Sequence, residues 1–179
     1  MGESKAGKFS GARCKISKWI RIDSRSQPMQ AKSAANYSNA ALARVEALKA
    51  GYDEAIMLNN KGHVAEGSAE NIFVVKNGKI TTPPLSADIL NGITRDSAIK
   101  MIKSNGKKIS EKNITVKNLL SADEIFMTGT AAEVKSVTRV NRTKIGSGKI
   151  GPITRELQSS FMDIVMGKNK KFLSWLKFL

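Results

Sequence analysis

Two turns rich in small residues have the composition of an anion-binding site. Asn91–Thr94 leads into a predicted helix, whose first backbone N–H groups and dipole favour a phosphate. Thr128–Ala132 offers backbone amides that a ligand can approach, with two hydroxyls for additional hydrogen bonds. The simpler alternative is that Thr94 only caps its helix, because threonine is a preferred N-cap residue. Composition alone does not show whether the two turns meet.

Two carboxylates lie in a third stretch of small residues. Glu66 and Glu70 occur in the sequence AEGSAENIFVV, at positions 65–75, immediately before an apolar run typical of a strand. The chain has 30 basic and 15 acidic residues, so two acids four positions apart in such surroundings require a specific role.

The net charge of +15 is compatible with nucleic acid, an anionic ligand or a lysine-rich surface. The lysines are scattered, and no RNA-binding aromatic signature or zinc-finger spacing accompanies them. We therefore expect no specific nucleic-acid binding, and interpret the charge as a solvated surface, part of which is reserved for a partner.

One cysteine, Cys14, and one histidine, His63, argue against a disulfide framework and against metal catalysis.

The length and hydropathy pattern predict one cytoplasmic domain. The 179 residues match the usual size of a single domain, at about 100 to 200 residues each. No apolar run approaches the roughly 18 residues of a membrane span, and the start, MGESKAGKFS, lacks the apolar centre of a signal peptide. We expect no contact with a membrane.

Helical and strand periodicities alternate along the chain, which predicts a mixed α/β fold. The first helix is expected over Ala34–Lys49, with Tyr37, Ala41, Leu42, Val45 and Leu48 on its buried face. The other predicted helices begin at Thr94 and near Pro152, and end at Asn105–Gly106 and Gly167. The predicted strands are Lys15–Ile22, Ala55–Leu58, His63–Glu66, Ile72–Val75, Ile80–Thr82, Glu124–Met127 and Val134–Val140, with turns at Ser24–Pro28, Asn59–Gly62, Asn77–Gly78 and Thr128–Glu133.

Four ordered motifs resemble those of the branched-chain aminotransferases. They are Ala31–Tyr37 (AKSAANY), Ala65–Asn71 (AEGSAEN), Leu90–Asp96 (LNGITRD) and Thr128–Glu133 (TGTAAE). This family belongs to the fold type IV enzymes, which depend on pyridoxal 5'-phosphate. The resemblance extends from the Lys15–Ile22 strand to the helix after Pro152. It implies a pseudo-barrel of mostly antiparallel and mixed strands surrounded by helices.

The resemblance also implies roles for individual residues around the cofactor ring. Lys32 matches the lysine that forms a Schiff base with pyridoxal phosphate and then shuttles the substrate α-proton, a role in which burial lowers the lysine pKa. Tyr37 matches the tyrosine that hydrogen-bonds the phenolic oxygen, although a core aromatic is the alternative. Glu66 matches the carboxylate that pairs with the pyridine nitrogen. Glu70 and Asn71 match supporting positions, for which a structural role in fixing the Glu66 turn and a catalytic role are both open, and Asn71 is counted among the cofactor-binding residues.

The remaining matched positions concern the phosphate and the substrate. Gly92, Ile93 and Thr94 match the loop that holds the cofactor phosphate through backbone amides. Thr130 matches a phosphate-binding hydroxyl. The turn Thr130, Ala131 and Ala132 matches the one whose amides also receive the substrate α-carboxylate. No metal is implied.

The implied reaction is transamination between a branched-chain amino acid (leucine, isoleucine or valine) and 2-oxoglutarate. Thr130–Glu133 favours the branched-chain enzymes over two relatives, the D-amino-acid aminotransferases and the aminodeoxychorismate lyases. A non-catalytic, basic domain that depends on a partner is the competing interpretation.

One departure from the family pattern affects all of these expectations. Family members carry a small N-terminal domain before the lysine, whereas Lys32 here follows only 31 residues. We therefore divide the chain into a polar leader, 1–14, and a cofactor-binding large domain, 15–179, without the small domain. Three explanations of its absence are open: a fragment or processed form, a separate polypeptide that supplies the other half, or a decayed copy that binds the cofactor poorly. We expect weak or no activity alone, and either a homodimer or a partner chain that supplies the small domain. We also expect apolar side chains that the small domain would cover to be exposed. The apolar tail (Phe172, Leu173, Trp175, Leu176 and Leu179) is expected to pack on the body of the domain.

Overall fold

The computed structural model describes residues 11–177, which contain four α-helices and nine strands. The strands are β1 (Ala12–Ile16), β2 (Glu54–Leu58), β3 (Val64–Gly67), β4 (Asn71–Lys76), β5 (Lys79–Thr82), β6 (Ile109–Glu111), β7 (Glu124–Gly129), β8 (Glu133–Val140) and β9 (Thr143–Lys144). The helices are α1 (Ala34–Lys49), α2 (Ile93–Ser104), α3 (Val116–Leu120) and α4 (Pro152–Val165), with short 3-10 segments at Leu85–Ala87 and Lys170–Trp175.

The strands form one curled mixed sheet in the order β3-β2-β1-β8-β7-β4-β5-β6, with β9 paired to β8. β1 runs parallel to both β2 and β8, and β5 runs parallel to β6, whereas the hairpins and the β4–β7 pair are antiparallel. The predicted mixed α/β fold with a partly closed sheet and surrounding helices is therefore confirmed.

The hairpins follow from turn chemistry that is readable in the sequence. Asn77 and Gly78 both have positive φ, at 50° and 71°, as a two-residue turn between β4 and β5 requires. The β7–β8 connection is shorter than predicted, because Thr128, Gly129 and Glu133 pair in the strands and leave only 130–132 in the turn.

The predicted strand Lys15–Ile22 is wrong in its position. β1 begins at Ala12, inside the segment expected to be a polar leader, and ends at Ile16. It pairs with β8 as far as Cys14 and with β2 as far as Ile16. Beyond Ile16 the chain is irregular, and the Lys18 amide donates to the Glu46 carboxylate on α1. Residues 1–10 of the predicted leader lie outside the described residues.

Helix α1 has the predicted bounds but buries a different face. Its buried residues are Asn36, Ala40, Ala43 and Ala47, whose alanines pack against Ala55 and Met57 of β2. The larger apolar side chains Leu42, Val45 and Leu48 are about half exposed, at 48%, 46% and 51%. Small side chains allow the helix axis to approach the sheet closely, so the large residues are turned outward.

Two apolar cores lie on opposite faces of the sheet. Along β4, Ile72 and Val74 pack into one core, while Phe73 and Val75 pack into the other, as the period of two in a strand requires. Phe73 stacks on Phe126 of β7 with ring centroids 4.7 Å apart. Within residues 11–177, no helix is long and apolar enough to cross a membrane.

The tail packs on the second core through Phe172, as expected. Leu173 and Leu176 are half-buried beside it, whereas Trp175 is exposed and lies against Phe172 with ring centroids 4.4 Å apart. Leu179 lies outside the described residues. The tail is therefore part of the folded body over the residues that the structure describes.

Helix α4 begins without a capping side chain of its own and uses a buried carboxylate from β7 instead. The two Glu124 oxygens accept hydrogen bonds from the Ile153 amide at 3.1 Å and from the Thr154 amide at 2.8 Å. The Thr154 hydroxyl also donates to Glu124 Oε2 at 2.7 Å. The first amides of a helix lack intrahelical acceptors, so this carboxylate both satisfies them and complements the helix dipole.

We predict that Glu124→Gln lowers the free energy of unfolding by about 1 to 3 kcal/mol, because an amide replaces the charged acceptor and turns one N–H group toward the helix amides. Urea unfolding followed by circular dichroism measures the loss. The matched control is Glu156→Gln, which removes an exposed carboxylate paired with Lys107. A loss at Glu124 no larger than the loss at Glu156 would contradict this role.

Candidate active site

The small-residue turns singled out in the sequence meet around one cavity of about 280 Å³. Asn91–Thr94 and 128–130 both contribute to its wall, so the two candidate anion loops are neighbours in the fold. The Glu66 turn forms a third side. The cavity is lined by Arg21, Met29, Gln30, Ala31, Lys32, Asn36, Tyr37, Glu66, Ser68, Ala69, Glu70, Asn71, Leu90, Asn91, Gly92, Ile93, Thr94, Thr128, Gly129 and Thr130.

Lys32 and Tyr37 enter the cavity from the segment that starts α1. Ser33 caps this helix by accepting from the Ala35 amide, so Lys32 lies just outside the first turn while Tyr37 lies one turn inside. The expected burial of Lys32 is wrong: the side chain is exposed, because the segment before the cap lies at the open side of the cavity. Tyr37 is 37% exposed, so it is not a core aromatic.

Glu66 is the buried acid of the cavity, and a carboxylate there needs partners. The Arg21 guanidinium forms an ion pair with it, with Arg21 Nε 2.8 Å from Glu66 Oε1 and both side chains only 8% exposed. The second oxygen, Oε2, accepts from the Leu90 amide and from Asn71 Nδ2, each at 3.1 Å. Both carboxylate oxygens are thus held by groups from three separate segments.

Burial raises the pKa of Glu66 to about 7, and the nearby Arg21 charge and the Leu90 hydrogen bond oppose that rise. Burial also raises the pKa of Glu70, whose Oε2 accepts from the neighbouring Ala69 amide. The Glu70 carbonyl accepts from the Gly67 amide at 2.6 Å and closes the turn that carries Glu66. The two acids therefore have different roles. The Glu66 carboxylate forms part of the cavity wall, and the Glu70 backbone closes the turn between β3 and β4.

Asn71 connects the Glu66 turn to the loop before α2. Its Nδ2 donates both to Glu66 and to the Leu90 carbonyl, the latter at 2.8 Å. A Cβ at Gly92 would lie 2.4 Å from Asn71 Oδ1, so only glycine fits there without displacing Asn71. The carboxylate and the loop are therefore positioned as one unit.

The N-terminus of α2 opens on the cavity. Gly92 is the N-cap residue and supplies no side chain, so no side chain caps the first amides of this 12-residue helix. Thr94 lines the cavity from the first turn of α2 and Gly92 is the N-cap residue, so the alternative that Thr94 only caps its helix is wrong. The Ile93 side chain is 86% exposed.

The β7–β8 turn contributes only part of its predicted set. Thr130 lines the cavity, whereas Ala131 and Ala132 do not. Thr128, on β7, also lines the cavity, and its hydroxyl has no hydrogen-bond partner among the described residues, although Thr128 is only 1% exposed. A buried hydroxyl without a partner is uncommon in a folded protein and marks a place where a ligand or water completes the site.

Arg21 is the main residue that sequence reasoning missed. It lies in the irregular segment after β1, where its amide donates to the Leu58 carbonyl at 2.8 Å. The sequence KISKWIRI has the alternation typical of a strand, and a strand at these positions gives no reason to place Arg21 in a binding site. The available signal was the acid at Glu66, predicted from the resemblance to contact the cofactor ring, since an acid that becomes buried requires a cation nearby.

A family model described as amino-transferase class IV matches residues 2–140. The chain belongs to the class IV aminotransferase family. It is 49% identical over 167 residues to a probable branched-chain-amino-acid aminotransferase of Aquifex aeolicus, a match that covers 93% of this chain and 54% of the relative. The branched-chain-amino-acid aminotransferase of Pseudomonas aeruginosa is 44% identical over 92% of this chain and 53% of its own length.

Solved structures of branched-chain aminotransferases agree with the fold. The enzyme of Thermobaculum terrenum in its PLP form superimposes with a TM-score of 0.94 at 35% identity, over 98% of this chain and 58% of the other. The enzyme of Thermoproteus uzoniensis with norvaline gives a TM-score of 0.92 at 42% identity, over 95% of this chain and 56% of the other. The chain spans about half the length of the curated relatives that it matches.

The raised pKa of Glu66 predicts a pH-dependent stability. The folded chain favours the neutral carboxyl, so this contribution is full below the ordinary pKa of 4.5 and is lost as the pH rises through about 7. We expect the wild-type free energy of unfolding, relative to that of Glu66→Gln, to fall by up to about 3 kcal/mol across this window.

Urea unfolding of both proteins at several pH values between about 5 and 8 measures this difference. Glu156→Gln is the control, because that carboxyl is exposed. Parallel stability curves for the wild type and Glu66→Gln would contradict the prediction.

Proposed function

We propose that this chain is the cofactor-binding part of a pyridoxal-phosphate-dependent branched-chain aminotransferase. The substrates proposed are leucine, isoleucine or valine together with 2-oxoglutarate. The observation that carries the proposal is the Glu66 carboxylate, which is buried beside Arg21 in the cavity that Lys32 and Tyr37 also line. An amine, a phenol and a buried carboxylate are the groups that such a cofactor requires around its ring.

The residues present fit pyridoxal phosphate. The uncapped N-terminus of α2 supplies free amides for a phosphate, with the Thr94 and Thr130 side chains on the same cavity. Gly92 brings the backbone close to Asn71, with no room for a Cβ, and the buried Thr128 hydroxyl has no partner among the described residues. This donor set suits a phosphate at one end and an aromatic nitrogen at the other.

When bound, pyridoxal phosphate supplies an electron-accepting ring that stabilises the negative charge left when the substrate α-proton is removed. Glu66 favours a protonated ring nitrogen, because an adjacent anion stabilises that positive charge. The Arg21 charge favours the ionised form of Glu66 and so lowers its pKa, against the effect of burial. Tyr37 would donate a hydrogen bond to the phenolic oxygen of the cofactor.

Lys32 has two roles in this proposal. Its amine would hold the cofactor covalently, and the same amine would carry the proton that leaves the substrate α-carbon. The turn of Thr130, Ala131 and Ala132 is proposed to receive the substrate carboxylate, with Thr130 as its member on the cavity wall.

Spectroscopy tests the covalent role of Lys32. We expect pyridoxal phosphate to give a visible absorbance band with the wild-type chain that is absent in Lys32→Ala. Lys79→Ala, which changes an exposed lysine at the start of β5, is the matched control and should retain the band. No band in the wild type at saturating cofactor, or a band that survives in Lys32→Ala, would refute the assignment.

We further propose that full activity requires the part of the relatives that this chain does not match, supplied by a separate polypeptide, and that the chain assembles either with that polypeptide or as a homodimer. Two features support this proposal. Leu42, Val45 and Leu48 form an exposed apolar stripe on α1, and Ile93 is exposed where α2 opens on the cavity. Large apolar side chains grouped in this way are typical of surfaces that another segment covers.

Complementation tests the requirement for the missing part. We expect weak or no transamination of isoleucine with 2-oxoglutarate by this chain alone, because the open cavity leaves Lys32 exposed to water. Adding the unmatched portion of the Aquifex aeolicus relative as a separate polypeptide should increase turnover at least about tenfold, equivalent to about 1.4 kcal/mol in the barrier.

Lys32→Ala with the same added polypeptide is the control, and it should remain inactive. Robust turnover by the chain alone would show that the partner is unnecessary. No gain on addition, together with a normal cofactor band, would show that the chain binds cofactor without catalysis, which is the partner-dependent, non-catalytic alternative.

A further inference from the structure

Three basic residues lie side by side across three adjacent strands, away from the cavity described above. Arg13 of β1 pairs in register with Arg139 of β8, and Arg139 pairs in register with Lys144 of β9. Residues paired in this way project from the same face of a sheet, and all three are exposed. We refer to Arg13, Arg139 and Lys144 as the basic row.

The basic row is electrostatically unfavourable by itself. Like charges directly opposite each other on paired strands destabilise a sheet. Asp53 neutralises only Arg13, accepting from its backbone amide at 2.7 Å and from its guanidinium at 3.2 and 3.3 Å. Within residues 11–177, no carboxylate forms an ion pair with Arg139, Arg142 or Lys144.

A shallow depression of about 360 Å³ lies beside the basic row. Arg13, Arg139 and Arg142 line it, together with Tyr52 and Asn141, and it shares no residue with the candidate active site.

The polar side chains of the depression are held with their donors available. Arg139 is oriented by donating to the Arg142 carbonyl at 3.3 Å. Asn141 Oδ1 accepts from the Ile16 amide at 2.9 Å, so the side-chain NH₂ is the part of this amide left to donate to a ligand. The depression therefore presents donors and positive charge to whatever occupies it.

We propose that this depression binds a short chain of linked phosphates, such as inorganic tripolyphosphate or the triphosphate of a nucleotide. Guanidinium groups bind phosphate oxygens in a bidentate manner, and here three arginines line one depression. Neighbouring strands are about 4.8 Å apart, so Arg139 of β8 and Lys144 of β9, with Arg142 between them in the chain, present positive charge without a carboxylate partner among residues 11–177 over roughly 5 to 10 Å. That span fits a compact polyanion better than a long nucleic acid, which requires an extended basic track.

Calorimetric titration with inorganic tripolyphosphate tests the site. We expect the wild type to bind, and the double variant Arg139→Gln/Arg142→Gln to bind about a hundredfold more weakly, because two charge-assisted contacts are lost. The control is Arg155→Gln/Lys108→Gln, which removes the same charge from exposed positions outside the depression and should bind as the wild type does. The Gln substitutions are at exposed positions, and circular dichroism verifies that each variant is folded.

Three results would overturn the proposal. The first is no binding by the wild type at millimolar tripolyphosphate, and the second is equal weakening in both double variants, which would reveal only non-specific charge. The third is displacement of tripolyphosphate by pyridoxal phosphate with full binding retained in Arg139→Gln/Arg142→Gln, which would place the anion in the active-site cavity.

Two further titrations identify the source of the phosphate chain. Tighter binding of ATP than of tripolyphosphate, lost in Tyr52→Leu, would support a nucleotide that also contacts the Tyr52 ring. Equal binding of the two would support recognition of the phosphate chain alone. Binding of a single-stranded oligonucleotide in place of tripolyphosphate, with the same dependence on Arg139 and Arg142, would overturn the proposal in favour of nucleic acid.

Discussion

The buried ion pair between Arg21 and Glu66 is the constraint on which the site depends. A carboxylate transferred from water to a protein interior loses several kcal/mol of solvation, and a single partner seldom restores all of it. Here the guanidinium occupies one oxygen, while the Leu90 amide and Asn71 occupy the other. The segment after β1, the β3–β4 turn and the loop before α2 must therefore take up fixed positions together.

A buried ion pair is seldom the most stable arrangement for a protein interior. Apolar residues of similar volume commonly replace a buried ion pair with no loss of stability, and sometimes with a gain. The pKa of Glu66 is raised to about 7 even with Arg21 beside it, so burial still outweighs its partners. A group held in such a state is typical of a functional site, where a charge must be presented to a ligand rather than neutralised by the protein.

Local signals in the sequence were sufficient to predict most of the helices, strands and turns. They were insufficient to predict which face of a helix is buried. Asn77–Gly78 predicts its turn because few other residue pairs accept two positive φ angles, and the bounds of α1 follow from Ser33 and Gly51. The buried face of α1 could not be predicted in the same way. Hydrophobicity selects Leu42 and Val45, but the distance of closest approach to β2 selects Ala40, Ala43 and Ala47. Similarly, the motifs identified Glu66, whereas Arg21 is recognisable only when the fold places it 2.8 Å away.

The net charge of +15 does not explain the anion-binding features of the cavity. There the donors are uncharged backbone amides at the start of α2, together with threonine hydroxyls, and the buried Arg21 is already paired with Glu66. The phosphate binding proposed for the cavity would therefore depend on geometry and little on the surface charge, which salt screens over about 10 Å. The basic row is different, because its cations lack acidic partners among residues 11–177 except at Arg13. Binding at the row should therefore weaken steeply with added salt, whereas binding in the cavity should depend on it much less.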